Sequence, residues 1–199
     1  MKVIIIKYNA GNVRSVLFAL ERMGVQGILS DDPKEIGSAD KVIFPGVGEA
    51  SSAMKFLKEK KLDGVIKDLK QPTLGICLGM QLMCRHSEEG NTDCLGIMDS
   101  CVKKFPLSKG GQGVVKVPQI GWNTISGLKG KLFDGVKENE YVYFVHGYYA
   151  EKGSNTIATT NYILEYSAAL QKGNFYGVQF HPEKSSDTGQ RILENFLKL

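Results

Sequence analysis

The sequence is short of several residues whose abundance would point to particular functions. Its 199 residues include three histidines and one tryptophan, and 25 basic against 21 acidic side chains leave a formal net charge of +4. The lysines are scattered among acidic and apolar residues, so the chain lacks the basic stripe typical of nucleic-acid binding. The apolar run at residues 3–6 is too short for a signal peptide or a membrane span. We therefore expect a cytoplasmic protein that binds neither nucleic acid nor membrane.

Cysteine is also scarce, and the spacing of the cysteines argues against a zinc-binding protein and against a disulfide-rich one. The four cysteines stand at positions 77, 84, 94 and 101. They lack the close pairs, roughly two to four residues apart, that structural zinc sites use. A disulfide framework is not expected in a chain of this size without a signal peptide, which favours a reducing compartment. We expect no metal and no cofactor.

In the first half of the chain, short apolar runs alternate with helical periods. Strands are predicted over residues 3–8, 25–29, 41–44 and 73–76. Helices are predicted over residues 12–23, about 49–70 with a break near Asp63-Gly64, and 80–86. This alternation predicts an α/β protein, in which a mostly parallel central sheet has flanking helices on both faces as a three-layer sandwich.

The second half is β-rich. Strands are predicted over residues 95–105, 114–117, 141–149, 156–160 and 168–180. The last of these is a hairpin that turns at Lys172-Gly173-Asn174. An amphipathic helix is predicted over residues 188–199, and a mobile loop over residues 108–113 because of its glycines. No repeat or low-complexity segment is present, so we expect a single domain over residues 1–199.

The most informative stretch is Gly75-Ile76-Cys77-Leu78-Gly79, where a predicted strand meets a helical pattern. It has the form of a nucleophile elbow with sulfur in place of oxygen. The sharp turn strains the nucleophile, the small neighbours prevent collisions, and the thiol is exposed at the carboxyl end of a strand. The helix N-terminus favours a thiolate, and Leu78 can offer its N–H to an oxyanion. The alternative is a buried core cysteine. Cys84, Cys94 and Cys101 lack the elbow context, and we expect them to be structural.

A thiol nucleophile needs a base, and His181 has the most suitable context. It ends a predicted strand and precedes Pro182-Glu183, whereas His86 lies among charged residues in a predicted helix. Residues i and i+2 of an extended segment point to the same side. Glu183 can therefore accept one imidazole N–H while the other ring nitrogen faces Cys77, in the chain order Cys, His, Glu. Taken alone, His-Pro-Glu could also be an ordinary turn that ends a strand.

A third motif, Pro45-Gly46-Val47-Gly48, follows the strand predicted over residues 41–44. A simple strand-to-helix turn would explain it. A glycine loop at the carboxyl edge of a parallel sheet can also direct backbone N–H groups toward an oxyanion. The motif is not a phosphate loop, because the Lys-Ser/Thr ending is absent.

Together, these motifs resemble those of the class I (triad) glutamine amidotransferases. The matching segments are Phe-Pro-Gly-Val-Gly at 44–48, Gly-Ile-Cys-Leu-Gly-Met-Gln at 75–81 and Phe-His-Pro-Glu-Lys-Ser at 180–185. Within that family, residues 10–16, 117–123, 143–148 and 174–180 are similar to the glutaminase subunits of imidazole glycerol phosphate synthases. The resemblance spans nearly the whole chain and implies the family's flavodoxin-like fold.

The resemblance implies a role for each matching residue. Cys77 would attack the side-chain amide of L-glutamine, and Glu183 would orient the imidazolium of His181. His181 would protonate the leaving ammonia and then activate water against the thioester. Gly48 and Leu78 would donate backbone N–H groups to the tetrahedral oxyanion, which could require the glycine loop to flip first. The implied substrate-binding residues are Gln81, Gly147 and Tyr148.

The resemblance also implies a partner. In such enzymes the ammonia passes to a cyclase subunit, a (β/α)₈ barrel, which makes imidazole glycerol phosphate and an aminoimidazole carboxamide ribotide in L-histidine biosynthesis. A heterodimer with the cyclase is therefore expected, and the residues that resemble interface positions are Trp122, Asn123, Tyr143 and Lys184. From the residues alone, Trp122 could equally be a core residue, Tyr143 an ordinary strand residue and Lys184 a solvated lysine.

Two positions depart from the family pattern, and other functions stay open. Gln119 stands where histidine is frequent but can still donate and accept hydrogen bonds, whereas Gly147 stands where a hydroxyl residue is frequent and offers only its backbone. The chain could instead serve a different synthase, such as a sugar amidotransferase. It could also be an inactive regulatory homologue, against which the intact triad argues. A thiol-redox role lacks a resolving cysteine at Cys-x-x-Cys spacing.

Overall fold

A computed structural model describes residues 1–8, 13–106 and 116–199. The loop predicted over residues 108–113 and the first two residues of the strand predicted over 114–117 lie outside the described residues. In the described ranges the α-helices are α1 (Val13–Arg22), α2 (Pro33–Gly37), α3 (Ala50–Glu59), α4 (Leu62–Asp68), α5 (Leu78–Met83) and α6 (Ser186–Lys198), and short 3₁₀ helices span Glu89–Asn91, Lys131–Phe133 and Pro182–Lys184. The strands are β1 (Val3–Ile6), β2 (Gly27–Ser30), β3 (Lys41–Phe44), β4 (Thr73–Ile76), β5 (His86–Ser87), β6 (Thr92–Asp93), β7 (Cys101–Lys104), β8 (Gln119–Thr124), β9 (Tyr141–His146), β10 (Tyr148–Ala150), β11 (Thr156–Asn161), β12 (Glu165–Lys172) and β13 (Phe175–Val178).

The main sheet is parallel at one end and mostly antiparallel at the other. Parallel strands run in the order β2-β1-β3-β4-β13, and β12, β10, β7, β5 and β6 continue the sheet from β13. Strand β11 pairs with β12, while β8 and β9 form a separate antiparallel pair. The predicted turn at residues 172–174 does connect β12 and β13 as an antiparallel hairpin.

The alternating side chains of β1 show why helices cover both faces of the sheet. Val3 and Ile5 lie in a core cluster with residues of α1 and α6, whereas Ile4 and Ile6 lie in a second cluster with residues of α3 and α4. A strand that is buried on both faces has a continuous apolar sequence, as this one does. The prediction of a three-layer α/β fold with a mostly parallel central sheet is confirmed.

Strand order explains how three distant motifs come together. Strand β4 lies between β3 and β13, and all three are parallel. The carboxyl ends of parallel strands meet at one edge of the sheet, where ligands bind in open α/β folds. The glycine loop follows β3, Cys77 follows β4, and His181 lies shortly beyond β13.

Several local predictions are wrong. The long helix breaks at Lys60-Lys61 rather than near Asp63-Gly64, and Lys61 has a φ of +57°. Leu62 and Ile66, one helical turn apart, are both fully buried, so core packing keeps α4 helical across Gly64. Strand β2 begins two residues later than predicted, β7 covers only the end of the predicted 95–105 strand, and α2 and β8 were not predicted.

The helix after the elbow is also displaced from its prediction. It begins at Leu78 and ends at Met83 instead of spanning residues 80–86. His86 therefore lies on a short strand, β5, which pairs with β7 through the register His86↔Cys101. The imidazole Nδ1 lies 3.0 Å from the Asp93 carboxylate on the surface. Sheet pairing has overridden the helical pattern at this point. None of the helices in the described ranges is long and apolar enough to cross a membrane.

Candidate active site

Cys77 occupies the sharp turn between β4 and α5. Its φ of 52° and ψ of −109° are strained for a residue with a side chain. The strain is held on both sides, because the Cys77 N–H donates to the Val178 carbonyl at 2.8 Å and the Cys77 carbonyl accepts from the Gln81 N–H at 3.2 Å. Sheet and helix thus fix the nucleophile candidate at the edge of the cleft.

The glycines that frame Cys77 are required by close backbone packing. A Cβ on Gly79 would overlap the carbonyl oxygen of Phe44, the last residue of β3. A Cβ on Gly75 would lie 2.8 Å from the backbone nitrogen of Met80. Helix α5 therefore starts in direct backbone contact with the two strands beneath it. The spacing of Gly75 and Gly79 in the sequence reflects this contact.

His181 and Glu183 form a buried pair beside Cys77. The imidazole Nδ1 lies 2.8 Å from Glu183 Oε1, and both side chains are almost completely buried. The Glu183 contact occupies Nδ1, which leaves Nε2 for the hydrogen bond between His181 and Cys77. The main chain is fixed as well, since the His181 N–H donates to the Tyr143 carbonyl of β9 at 2.9 Å.

The surroundings of His181 favour its protonated form. Burial opposes the charge, but hydrogen bonds to Cys77 and Glu183 and the negative charges of both groups outweigh it, raising the pKa of His181 to about 10. At neutral pH the imidazole is therefore a cation held between a sulfur and a carboxylate. A group in this state can give a proton to a leaving amine.

A cavity of about 420 Å³ opens next to Cys77. Eight of the predicted site residues are among those that line it, namely Gly48, Cys77, Leu78, Gln81, Gly147, Tyr148, His181 and Lys184. The other described residues that line it are Val47, Glu89, Val145 and His146. Glu183 lies behind His181, and Trp122, Asn123 and Tyr143 lie away from the cavity wall.

The predicted oxyanion donors are not both available in this conformation. The Leu78 N–H donates to the Gly46 carbonyl at 3.3 Å. The loop is pressed onto the elbow, because a Cβ on Gly46 would overlap the Tyr8 hydroxyl and lie 2.9 Å from the Leu78 Cβ. Gly48 has a φ of +112°, a conformation that favours glycine. An oxyanion can use the Leu78 donor only after the Gly46 carbonyl has moved.

Gln81 is already engaged by the protein on its donor side. Its Nε2 donates to the Tyr148 carbonyl and to Gln179 Oε1, each at 2.9 Å. A primary amide nitrogen carries two hydrogens, so both are used. The carbonyl oxygen is the part of Gln81 that can receive a ligand, and it can bind only a donor such as an ammonium group.

A second buried network explains the position of Gln119. The Tyr166 hydroxyl lies 2.7 Å from Gln119 Oε1 and 3.0 Å from His146 Nε2, while His146 Nδ1 lies 2.7 Å from the Tyr148 carbonyl. Burial lowers the pKa of His146 to about 4. His146 is therefore a neutral structural member of the cavity wall, and Gln119 supports it through Tyr166.

Gly147, the second departure from the family pattern, leaves free space beside it in the cavity wall. A Cβ added to Gly147 would have its nearest neighbour, the Pro118 Cβ, at 3.9 Å. The backbone of Gly147 also accepts a hydrogen bond from the Phe105 N–H at 3.3 Å. A Cβ at this position would therefore be accommodated without moving its neighbours.

Sequence reasoning missed several residues of the site, of which two matter most. Among the described residues, Glu89 is the only acidic one that lines the cavity, and it also accepts a hydrogen bond from the Ala50 N–H at 2.8 Å. Burial raises the pKa of Glu89. Gln179 is completely buried and contacts both Gln81 and Cys77. No local pattern in the sequence indicated that Gln179 contacts Cys77. Glu183 reaches His181 from a short 3₁₀ helix over Pro182–Lys184, so the extended-chain geometry predicted for this pair is wrong although the contact itself is present.

The pair of strands β8 and β9 presents an apolar face to solvent. Its register sets Ile120 opposite Val145 and Trp122 opposite Tyr143, so alternation puts these four side chains on one face. Trp122 is 52% exposed and packs edge-on against Tyr143, with the ring centroids 5.8 Å apart. The core alternative for Trp122 is therefore wrong. Val145 also lines the cavity, so the apolar face begins at the candidate active site.

The other two predicted interface residues are placed differently. Asn123 lies on the opposite face of the strand pair, where its amide donates to the Asn161 carbonyl at 2.8 Å and accepts from the Thr124 N–H at 2.9 Å. Its side chain is thus committed to contacts within the chain. Lys184 is exposed and lies at the edge of the cavity.

The chain matches the family model "Glutamine amidotransferase class-I" over residues 8–199, and it belongs to that family. The predicted resemblance is confirmed. The chain is 59% identical over 199 residues to the imidazole glycerol phosphate synthase subunit HisH of Bacteroides fragilis strain YCH46, with both chains covered completely. It is 46% identical over 205 residues to subunit HisH of Vibrio vulnificus strain CMCP6, covering 100% of this chain and 98% of the relative.

A solved structure supports the fold independently. The crystal structure of a glutamine amidotransferase from Thermotoga maritima aligns with a TM-score of 0.67 at 19% sequence identity. The alignment covers 100% of this chain and 83% of that chain. At this level of identity the likeness concerns the fold alone.

Proposed function

We propose that this chain hydrolyses L-glutamine to glutamate and ammonia and delivers the ammonia to a cyclase subunit of imidazole glycerol phosphate synthase. The pair would be a heterodimer in L-histidine biosynthesis, and residues 1–199 would act as a single class I glutamine amidotransferase domain in the cytoplasm. The observation that carries the proposal is the contact of a strained Cys77 with a buried His181–Glu183 pair at the wall of a cavity. The relatives named as HisH subunits support the choice of partner.

The chemistry starts with attack by sulfur. The Cys77 thiolate forms a bond to the side-chain carbonyl carbon of glutamine, and the carbonyl oxygen becomes an oxyanion. His181 gives its Nε2 proton to the nitrogen as the carbon–nitrogen bond breaks, so ammonia leaves and a thioester remains. Water then loses a proton to His181 and attacks the thioester. Glutamate departs and the thiolate is restored, while Glu183 keeps the imidazole oriented.

The cavity offers complementary groups for the other end of glutamine. The carbonyl oxygen of Gln81 and the carboxylate of Glu89 both favour an ammonium group, since each can only accept. We assign the α-ammonium of glutamine to these residues. The backbone at Gly147 and Tyr148 is assigned to the α-carboxylate, which leaves the side-chain amide directed at Cys77.

The docked glycine loop gives a physical reason for dependence on a partner. In the conformation described, the Leu78 N–H is bound by Gly46. Removing one oxyanion donor costs on the order of 10²–10³ in rate in hydrolases that use such donors. Glutamine hydrolysis by the isolated chain is therefore expected to be slow until the loop turns and Gly48 and Leu78 can both donate.

The apolar face of β8 and β9 is the proposed docking surface for the cyclase. Exposed aromatic residues are enriched at the centres of interfaces, and Trp122 with Tyr143 provides such a pair. Lys184 lies at the cavity edge near this surface and can contact the partner as well. Because Val145 belongs to both the face and the cavity, a barrel bound there would cover the site where ammonia forms.

The proposal is tested by following the nitrogen. Glutamine labelled with heavy nitrogen in its side-chain amide is supplied to the chain together with the cyclase and its nucleotide substrate, in the presence of unlabelled ammonium. The expected product carries the heavy nitrogen in its new imidazole ring, and Cys77→Ala abolishes the labelling. If hydrolysis proceeds but the cyclase product contains only nitrogen from the solvent pool, the chain serves a different acceptor.

A further inference from the structure

We propose that Gln179 is a further catalytic residue, whose side-chain amide donates a hydrogen bond to the Cys77 sulfur and stabilises it as the attacking thiolate. The inference rests on the proposed role of Cys77 as nucleophile. Gln179 is completely buried two residues before His181, and its Nε2 lies 3.7 Å from Cys77 Sγ. This separation is within the range of a nitrogen-to-sulfur hydrogen bond.

The orientation of the Gln179 amide is fixed by the Tyr148 carbonyl, through Gln81. The Tyr148 backbone carbonyl can only accept, so the nitrogen of Gln81 must face it. That same nitrogen also faces Gln179, which must therefore present its carbonyl oxygen to Gln81. The nitrogen of Gln179 is left on the side of Cys77. The Tyr148 carbonyl thus determines that Gln179 presents its nitrogen, a hydrogen-bond donor, to the Cys77 sulfur.

The remaining neighbours of the sulfur show why a donor matters. The Val145 carbonyl lies 3.7 Å from Cys77 Sγ and can accept a hydrogen bond from the thiol but repels a thiolate. Gln179 has the opposite preference, because hydrogen bonds to ionised acceptors are stronger than those to neutral ones. Among the described residues, the titratable groups that interact with Cys77 include His181, which favours its negative charge, and the buried hydroxyls of Tyr8 and Tyr166. These two hydroxyls donate to Pro45 and Gln119, whereas the Gln179 amide donates to the sulfur itself.

The same amide couples the nucleophile to the substrate-binding residue. Gln179 Oε1 accepts from Gln81, which is proposed to receive the glutamine ammonium. Sulfur, Gln179, Gln81 and Tyr148 therefore form one hydrogen-bonded series across the cavity wall. The arrangement links the attacking atom to the proposed ammonium site through hydrogen bonds, which favours a productive attack geometry.

The test measures the rate of Cys77 alkylation by iodoacetamide against pH, with the modified peptide identified by mass spectrometry. Gln179→Met removes the donor to sulfur without adding a charge, and Gln179→Leu repeats this change with a shorter apolar side chain. For each variant we expect alkylation at pH 7 to slow about tenfold and the midpoint of the profile to rise by about one pH unit, as for loss of one charge-assisted hydrogen bond. Asn195→Leu is the matched control, because it removes a buried side-chain amide on α6 whose hydrogen-bond partners are the Leu132 and Asp134 carbonyls, and its profile should equal that of the wild type.

Alkylation requires neither glutamine turnover nor a partner, so its outcome is independent of the proposed function. If Gln179→Met and Gln179→Leu give wild-type alkylation profiles, the amide does not stabilise the thiolate and the inference is overturned. The same conclusion follows if Asn195→Leu slows alkylation as much as the Gln179 variants do, since the effect would then be structural. Should Gln179→Met fail to fold, Gln179→Leu decides the question.

Discussion

The N–H of Leu78 donates to the carbonyl of Gly46 across a distance of 3.3 Å, and this bond closes the candidate oxyanion site. The donor follows the nucleophile in sequence, while the acceptor belongs to the glycine loop after β3. The loop is held from behind, because the Tyr8 hydroxyl donates to the Pro45 carbonyl at 2.6 Å. Activation of the nucleophile and opening of this bond are therefore separate events.

The hydrogen bond from the Tyr8 hydroxyl to the glycine loop predicts that Tyr8→Phe raises the basal rate of glutamate release. The substitution removes only the buried hydroxyl, so the loop loses about 1 kcal/mol of hydrogen bonding that favours its docked state. Glutamate release by the chain without partner should rise by about fivefold, the factor to which that energy corresponds, while the partner-stimulated rate changes less. An unchanged basal rate in a folded variant would mean that the Tyr8 hydrogen bond does not hold the loop in its docked state.

The raised pKa of His181 predicts a loss of stability at alkaline pH. The pKa is about 10 in the folded chain and about 6.5 in an unfolded one. The folded state therefore binds a proton that the unfolded state lacks between these values. The resulting stabilisation is complete below pH 6.5 and is lost as the pH rises toward 10. Urea unfolding at pH 6 and pH 9 should show a larger decrease for the wild type than for His181→Gln, and parallel decreases would contradict the assignment.

His146 has the opposite dependence. Burial lowers its pKa to about 4, so between pH 6.5 and pH 4 only the unfolded state takes up the proton. Stability should therefore fall as the pH is lowered through this window. His146→Gln should be less stable than the wild type at pH 7 but lose less stability on acidification to pH 5. Urea unfolding at the two pH values measures both effects, and an equal acid loss in the two proteins would exclude His146 as its source.

The apolar face of β8 and β9 predicts a hot spot for cyclase binding. Trp122→Ala should weaken the affinity for the cyclase at least about tenfold, as is common for a central aromatic residue. Ile28→Ala is the matched control, since Ile28 is a partly exposed apolar residue on the far edge strand β2. Calorimetric titration compares the three proteins. Equal losses in both variants, or none in Trp122→Ala, would remove the face from the interface.

The main features of the site could be predicted from the sequence because each is encoded locally. The glycines at 75 and 79 report the close approach of α5 to the strands. Glu183 follows His181 closely enough for a local contact, although this contact forms in a short 3₁₀ helix over Pro182–Lys184 and not in the extended segment that was predicted. The order of elements then brings the motifs to one sheet edge. Composition and periodicity were sufficient for the fold class, which depends on the same alternation of strands and helices.

What could not be predicted depends on contacts between distant segments. The bond that occupies Leu78 comes from a loop more than thirty residues earlier, and the partner of Gln81 lies ninety-eight residues later. Asn123 also illustrates the limit. Its neighbours in sequence suggest a shared surface, but strand alternation and a bond to Asn161 direct it inward. No local pattern carries this information, since register is set by pairing partners.

The most direct test of the account is the rate of glutamate release by wild-type chain and by Cys77→Ala, each in complex with the cyclase and its nucleotide ligand. The account predicts that the partner and ligand raise the wild-type rate sharply above that of the chain alone, and that Cys77→Ala stays at the uncatalysed background. Intact binding of the cyclase by Cys77→Ala shows that assembly is preserved. Stimulated glutamate release by Cys77→Ala would contradict the account, because glutamine would then be hydrolysed without the thiol.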